Sequence, residues 1–378
     1  MKMKKPFIFP IFVLFCFFSC NMKNESIFPE TSNKEASSEA KELLSFLYSI
    51  QGKYTLSGQH NFISTGEQYT DEVYKITGKY PVVWGSDFSF QVKGDSAVNF
   101  HHCGPMNLKD PALTLRDKKP LEFINLSVDE LRQNLVNEVI RQHKKGHIIT
   151  LMWHGCFPTE GDLCDGSSIW AMQNRPDEKT WQELTSKGTE LNASWKKQVD
   201  NIAHHLQKLQ EAKIPVLWRP YHEMNGVWFW WCNQKGENGF KKLWIMLYDY
   251  FTKDKKLNNL IWVWNTNAPR NIPGDEAFPY SDFFPGSEYV DILAADVYAN
   301  DYKQSHHDDL RKIANGKLIA LGEIGTVPSA EILKSQNQWS WFMTWGYFVN
   351  LYNDSEAIKK LYNAPNVLSL EDIKKMRK

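Results

Sequence analysis

Pro215-Val-Leu-Trp-Arg-Pro-Tyr-His-Glu-Met-Asn-Gly-Val-Trp-Phe-Trp-Trp231 opens as a short apolar strand on Val216-Leu217 and then turns polar and aromatic. Its chemistry therefore sits at the strand's C-terminal end. Short apolar β-type runs like this one, flanked by helical or polar segments, recur along the chain, as expected of parallel strands buried on both faces. Strands are expected near 54–59, 81–88, 147–154, 215–222, 260–265, 290–298, 318–323 and 341–345. Between them lie helical patterns. One starts at the capping box Ser127-x-x-Glu130, continues through Leu131, Leu135 and Val139 and stops near Gly146; another carries Val199, Ile202, Leu206 and Leu209 on one face. Eight such strands predict an α/β fold, a single-domain (β/α)₈ TIM barrel, rather than an open doubly wound sheet. The segments 91–126 and 155–194 read as long irregular connections after the second and third strands. In a barrel such loops wall the active-site face.

The bulk properties narrow the partners. The 378 residues carry 44 basic and 44 acidic side chains, so no global field steers the protein towards nucleic acid. The 15 tryptophans are more than packing alone requires, which suggests that many face a ligand.

At the start of the chain, Lys2, Lys4 and Lys5, the apolar run Phe7 to Phe18 and Ser19-Cys20 read as a signal peptide over 1–20. Cys20 resembles a bacterial lipoprotein cleavage site, which places the protein in the cell envelope, lipid-anchored at the outer membrane or in the periplasm, and otherwise secreted. Residues 21–38 are polar and read as a tether, leaving 39–378 as the catalytic domain. After export Cys103, Cys156, Cys164 and Cys232 remain; Cys156 and Cys164 are nearest in sequence, and the pairing stays open. No Cys-x₂-Cys pair exists for a zinc site, and no metal or cofactor is expected.

Two carboxylates at strand ends are the candidates to carry chemistry. Glu223, ringed by aromatics and next to His222, loses solvation and so acquires the raised pKa of a general acid. Glu323, in Leu318-Ile-Ala-Leu-Gly-Glu-Ile-Gly325, ends an apolar strand between glycines. Retaining glycoside hydrolysis needs two carboxyl groups about 5–5.5 Å apart, one protonated and one ionised. The ends of the fourth and seventh strands can bring these two together over the barrel mouth.

The motifs Arg219-Pro-x-His222-Glu223-x-Asn225-Gly-x-Trp228-x-Trp230 and Gly322-Glu323-x-Gly325 resemble glycoside hydrolase family 26, mostly β-mannanases, over roughly residues 40–365. The resemblance implies that Glu223 is the acid/base, Glu323 the nucleophile, and that His222 and Trp228 flank the sugar at the cleavage point. Asp296-Val-Tyr298 is similar to the family's Asp-x-Tyr, whose tyrosine lies near the nucleophile and whose aspartate helps position substrate. His154 resembles a substrate-binding histidine, and Trp345 a tryptophan forming the floor under the sugar. Arg219 is expected to hold the nucleophile ionised, or else to pair with Asp296 in a structural role. The implied activity is that of a retaining mannan endo-1,4-β-mannosidase on β-mannan or manno-oligosaccharides, as a monomer, with endo action, exo action and mannobiose release left open. A β-1,3-1,4-glucanase or β-1,3-xylanase of the same family stays open, as does a non-catalytic surface glycan-binding protein. His101-His102 and His306-His307-Asp308-Asp309 are expected in surface loops, and His204-His205 on a partly exposed helix face.

Overall fold

A computed structural model describes residues 30–93, 96–99, 123–124, 126–171 and 175–376. Eight parallel ladders close into a barrel. In chain order its strands are β1 (Thr55–Leu56) continued by β2 (Gly58–His60), β3 (Val83–Asp87), β7 (Ile148–Trp153), β8 (Val216–Pro220), β9 (Leu260–Asn267), β10 (Ile292–Val297), β11 (Leu318–Ile324) and β12 (Trp339–Thr344). Each pairs in parallel with the next, and β12 returns to β1 and β2. Three further strands, β4 (Phe90–Lys93), β5 (Ser96–Asn99) and β6 (Phe123–Ile124), form a separate antiparallel sheet within the connection expected to be irregular. A last strand, β13 (Val367–Leu368), pairs with β1. All eight expected strands are present, so the barrel is the fold.

Alternation along the strands sorts side chains into two cores. On β9, Ile261 and Val263 share a cluster with Leu217, Ile292, Ala294, Leu318 and Ala320, which fills the barrel's lower lumen. Trp262 and Trp264, one position out of phase, pack among the surrounding helices instead. Helix Ser38–Ile50 closes the bottom by adding Ala40, Leu43, Leu44 and Leu47 to the lumen cluster. Continuing the lumen phase upward places Arg219, Asn265, Asn267 and Asp296 at the top, where apolar layers give way to polar groups.

The helix expected at the capping box runs Val128–Lys145 with both reciprocal bonds of the box formed and Gly146 in the left-handed conformation as its cap. Helix Glu190–Glu211 buries Val199, Ile202, Leu206 and Leu209.

Several expectations are corrected. The tether was expected to reach 38, yet the chain is packed from Thr31 onward. The Ser32 amide donates to the buried carboxylate of Asp291 at 2.5 Å, and the Ser37 amide to the Asn258 carbonyl at 2.7 Å. Polar composition concealed this because the segment docks through backbone hydrogen bonds rather than apolar side chains. The connection 155–194 is also more ordered than expected: it holds helix Glu178–Leu184, and the long helix already begins at Glu190. A Cys156–Cys164 disulfide closes part of it, and Cys232 is a buried free thiol. Cys103, His101, His102 and the leader lie outside the described residues. His306 and His307 are buried on helix Gln304–Ala314 rather than in a surface loop, with His307 edge-on to Trp339. His205 is buried against Asp129, while its neighbour His204 is exposed.

Twelve tryptophans, Trp228 and Trp345 among them, are fully buried. Most therefore pack the two cores, which corrects the expectation that many face a ligand.

Candidate active site

β8 delivers the first carboxylate through a strained turn. Beyond Pro220 the chain takes positive φ at Tyr221 (47°) and Glu223 (56°), a region that non-glycine residues seldom adopt. Backbone bonds hold it: the Glu223 amide donates to the Asn265 carbonyl at 2.8 Å, and the Gly226 amide to the Glu223 carbonyl at 2.9 Å. The turn aims the Glu223 carboxyl into the lumen. There its Oε2 accepts from Trp228 Nε1 at 2.7 Å and its Oε1 from Asn267 Nδ2. Burial first, then the neighbouring charge of Glu323, push its pKa up to about 7, against the opposing pull of Asn267, Arg270 and Trp228.

β11 delivers the second carboxylate by a register shift. Ala295 pairs with Leu321, but Asp296 pairs with Glu323, so Gly322 is skipped in the ladder. Ile319, Leu321 and Ile324 pack outward among the helices, whereas the extra residue lets Glu323 join the lumen side. Only glycine fits at the skipped position, since a Cβ there would lie 1.8 Å from Asn265 Oδ1 and 2.7 Å from Asp296 Oδ1.

Glu323 is held from three sides. Arg219 Nη2 donates to its Oε1 at 2.8 Å, the Tyr298 hydroxyl to its Oε2 at 2.6 Å, and His222 Nε2 lies 3.4 Å from Oε1. The guanidinium also donates to Asn265 Oδ1 at 2.8 Å and to the Gly322 carbonyl at 3.0 Å. Arg219 thus serves Glu323 first and Asp296 second, the latter at 3.8 Å. The two roles left open for it are both present, at different distances. Asp296 is held well above the usual carboxylate range by burial and by the two glutamates.

Histidines and an indole complete the wall. His222 is driven well below the usual imidazole range by burial, with His154 and Arg219 adding to the effect, so it stands neutral beside Glu323. The His154 ring meets it edge-on at 4.5 Å, and its Nδ1 is bonded to Asp87 Oδ2 at 2.5 Å. Trp345 stacks on His60 at 3.9 Å and lies 6.2 Å from the His154 ring. All nine residues singled out in the sequence thus meet at the C-terminal mouth of the barrel.

His222, Glu223 and Asp296 bring one donor atom each within 4.8 Å. Both Glu223 oxygens already accept N–H groups, and the Arg219 cation stands beside Asp296, so the cluster reads as a hydrogen-bonded site rather than a cation cradle.

Sequence reasoning missed Asp87, Asn265, Asn267, His60 and Arg270. A partial signal existed for the first three, because polar residues interrupt or end apolar strand runs in Trp84-Gly-Ser-Asp87 and Val263-Trp-Asn-Thr-Asn267. A cleft of about 630 Å³ opens from Glu223 past Asn267, Arg270, Ile272, Tyr298 and Tyr352. The arrangement pairs a carboxyl whose pKa is pushed up to about 7 with a second carboxylate fixed by a cation and a phenol, and this suits acid-assisted displacement at an acetal carbon.

Comparison with known proteins agrees with this chemistry. The model of glycosyl hydrolase family 26 matches residues 32–102 and 124–372. A mannan endo-1,4-beta-mannosidase of Thermothelomyces thermophilus is 30% identical over 352 residues, covering 90% of this chain and 63% of that protein. Mannan endo-1,4-beta-mannosidase A of Piromyces sp is 27% identical, over 91% of this chain and 50% of that protein. The chain therefore spans between half and two thirds of these curated relatives' length. Among solved structures, GH26A from Muricauda sp. MAR_2010_75 superposes with a TM-score of 0.78 at 41% identity, covering 90% of this chain and 99% of that one. A beta-mannanase from a symbiotic protist of the termite Reticulitermes speratus, complexed with gluco-manno-oligosaccharide, gives 0.70 at 27%, covering 91% and 97%.

Proposed function

The chain belongs to glycosyl hydrolase family 26, and on that premise we propose that it is a retaining β-1,4-mannan hydrolase acting by double displacement. Glu323 attacks the anomeric carbon while Glu223 protonates the departing glycosidic oxygen. Glu223, now ionised, then takes a proton from water as that water releases the glycosyl-enzyme, so the anomeric configuration is kept. The observation that carries the reading is the contrast between the two carboxyls: Glu223 desolvated and pushed up to about 7, Glu323 held by Arg219 and Tyr298.

Tyr298 and Arg219 are proposed to orient the nucleophile, and Asp296, His154 and His222 to hold sugar hydroxyls. Trp228 and Trp345 would line the sugar's apolar face. The choice of mannan over mixed-linkage glucan or β-1,3-xylan rests on the relatives, which are mannan endo-1,4-beta-mannosidases. We place the protein in the cell envelope as a monomer, exported by residues 1–20 and anchored through Cys20.

The test is reducing-end release from mannan, lichenan and xylan by the wild type, Glu223→Ala and Glu323→Ala. Mannan turnover by the wild type alone is expected. Unchanged activity in either variant overturns the mechanism, and faster turnover of lichenan or xylan overturns the substrate.

A further inference from the structure

The loop that follows β9 reaches back over the carboxyl of Glu223. Arg270 is fixed by a two-pronged ion pair with Asp275, in which Nε donates to Oδ2 at 2.9 Å and Nη2 to Oδ1. Its remaining nitrogen, Nη1, donates to Asn267 Oδ1, and its guanidinium carbon lies 4.9 Å from the Trp228 ring centre. Among the described residues, Asn267 and Trp228 are the two groups that donate to the Glu223 carboxyl.

A side-chain amide can present either its oxygen or its NH₂ to a neighbour, but guanidinium only donates. With Arg270 on one side, Asn267 must turn its oxygen to the arginine and its NH₂ to Glu223. Neither bond asks Glu223 to donate, so its own proton is left for an acceptor in the cleft. The same guanidinium lies over the indole ring, which offers a cation its negative face.

We propose that Arg270, latched by Asp275, is a positioning residue for Glu223: it pins Asn267 and Trp228 in their donating poses and sets the charge felt on the open side of that carboxyl. This deepens the proposed function, since it assigns a regulator to the acid of that reaction. Neither Arg270 nor Asp275 lies in the two motifs that carry the family resemblance in the sequence.

The other charged groups around Glu223, among the described residues, are arranged differently. Glu323 on β11 and Asp296 on β10 are acidic and lie deeper. Arg219 and His222 on its own segment are turned to Glu323. Arg175 donates to the Val227 carbonyl at 3.1 Å, and Lys303 and Asp301 across the cleft pair with each other at 2.9 Å. Arg270 is thus the cation that opposes the two acidic neighbours, and its charge is among the influences that pull Glu223 down.

The Trp228 indole N–H sits 2.7 Å from Glu223 Oε2, so its ¹⁵N–¹H resonance, assigned with Trp228→Phe, reports the ionisation of Glu223 without any substrate. The expected midpoint is about 7 in the wild type. In Arg270→Met it is expected to rise by roughly one unit, the scale of one partly screened charge a few ångströms away. The alkaline limb of kcat/KM should move with it, while Arg270→Lys, which keeps the charge, should restore the midpoint more fully than the rate. Arg270→Gln gives the same reading if the Met variant fails to fold. A loop staple without influence on Glu223 would leave the midpoint where it was, and that result overturns the proposal. Failure of the wild type to cleave mannan would remove the proposed substrate, yet the indole titration would still decide the role of Arg270.

Discussion

Replacing Arg219 with methionine isolates the linchpin of the site. Methionine retains most of the stem volume, so the perturbation is electrostatic more than a cavity. It strips the donors from Glu323 Oε1, Asn265 Oδ1 and the Gly322 carbonyl, and removes the cation 3.8 Å from Asp296, all in a fully buried setting. Removing one partner of a buried ion pair costs about 3–5 kcal/mol. For a domain of this size, with an unfolding entropy of roughly 0.7 kcal/mol/K, that lowers Tm by about 4–7 °C.

The pH dependence has a definite sign. Asp296 is raised in the folded state, so it subtracts stability above the unfolded carboxylate value, and the subtraction disappears as pH falls below it. Arg219 is one of the groups that pull Asp296 back down, so its removal raises Asp296 further. Arg219 compensates the charge of the carboxyls beside it, so losing it costs most where buried carboxyls are ionised, and the deficit of Arg219→Met is expected to be larger at about pH 7.5 than at about pH 4.5. Calorimetric or fluorescence melts of both proteins at the two pH values measure it, and turnover of mannan is expected to fall by about a thousandfold or more. A deficit below about 1 kcal/mol, or one equal at both pH values, would refute the assignment of Arg219 as the cation that sustains these carboxyls.

Three further outcomes are expected. Tyr298→Phe removes the 2.6 Å bond to Glu323 Oε2 and should lower kcat by about 10–100-fold while leaving KM near the wild-type value, as steady-state kinetics would read. The wild-type kcat/KM should decline above pH 7, because Glu223, pushed up to about 7, must be protonated to act; a pH profile flat to pH 9 would contradict that role. Removing the Cys156–Cys164 disulfide by a double Cys→Ser replacement should cost about 2.5 kcal/mol by the loop-entropy argument for a separation of 8 residues, measurable by urea unfolding.

Strand positions were legible because each barrel strand is buried on both faces and so writes itself as a short apolar run. The helix at Ser127 was legible because its capping box is local chemistry. Glu223 stood out for the same kind of reason: its partner Trp228 is close in the chain. The tryptophans misled because a residue count carries no direction, and only the packing shows that Trp262 and Trp264 point to the helices while Ile261 and Val263 point to the lumen.

The sequence by itself determined the barrel, the strand that carries Glu223 and the strand that ends at Glu323, since periodicity and local motifs decide these. Only the tertiary structure decided how Glu323 turns inward, through a register shift at Gly322 that depends on the neighbouring strand. It likewise decided that Asn267, Arg270 and Asp275 gather over Glu223, because that meeting joins side chains from two separate strand ends whose approach no local pattern encodes.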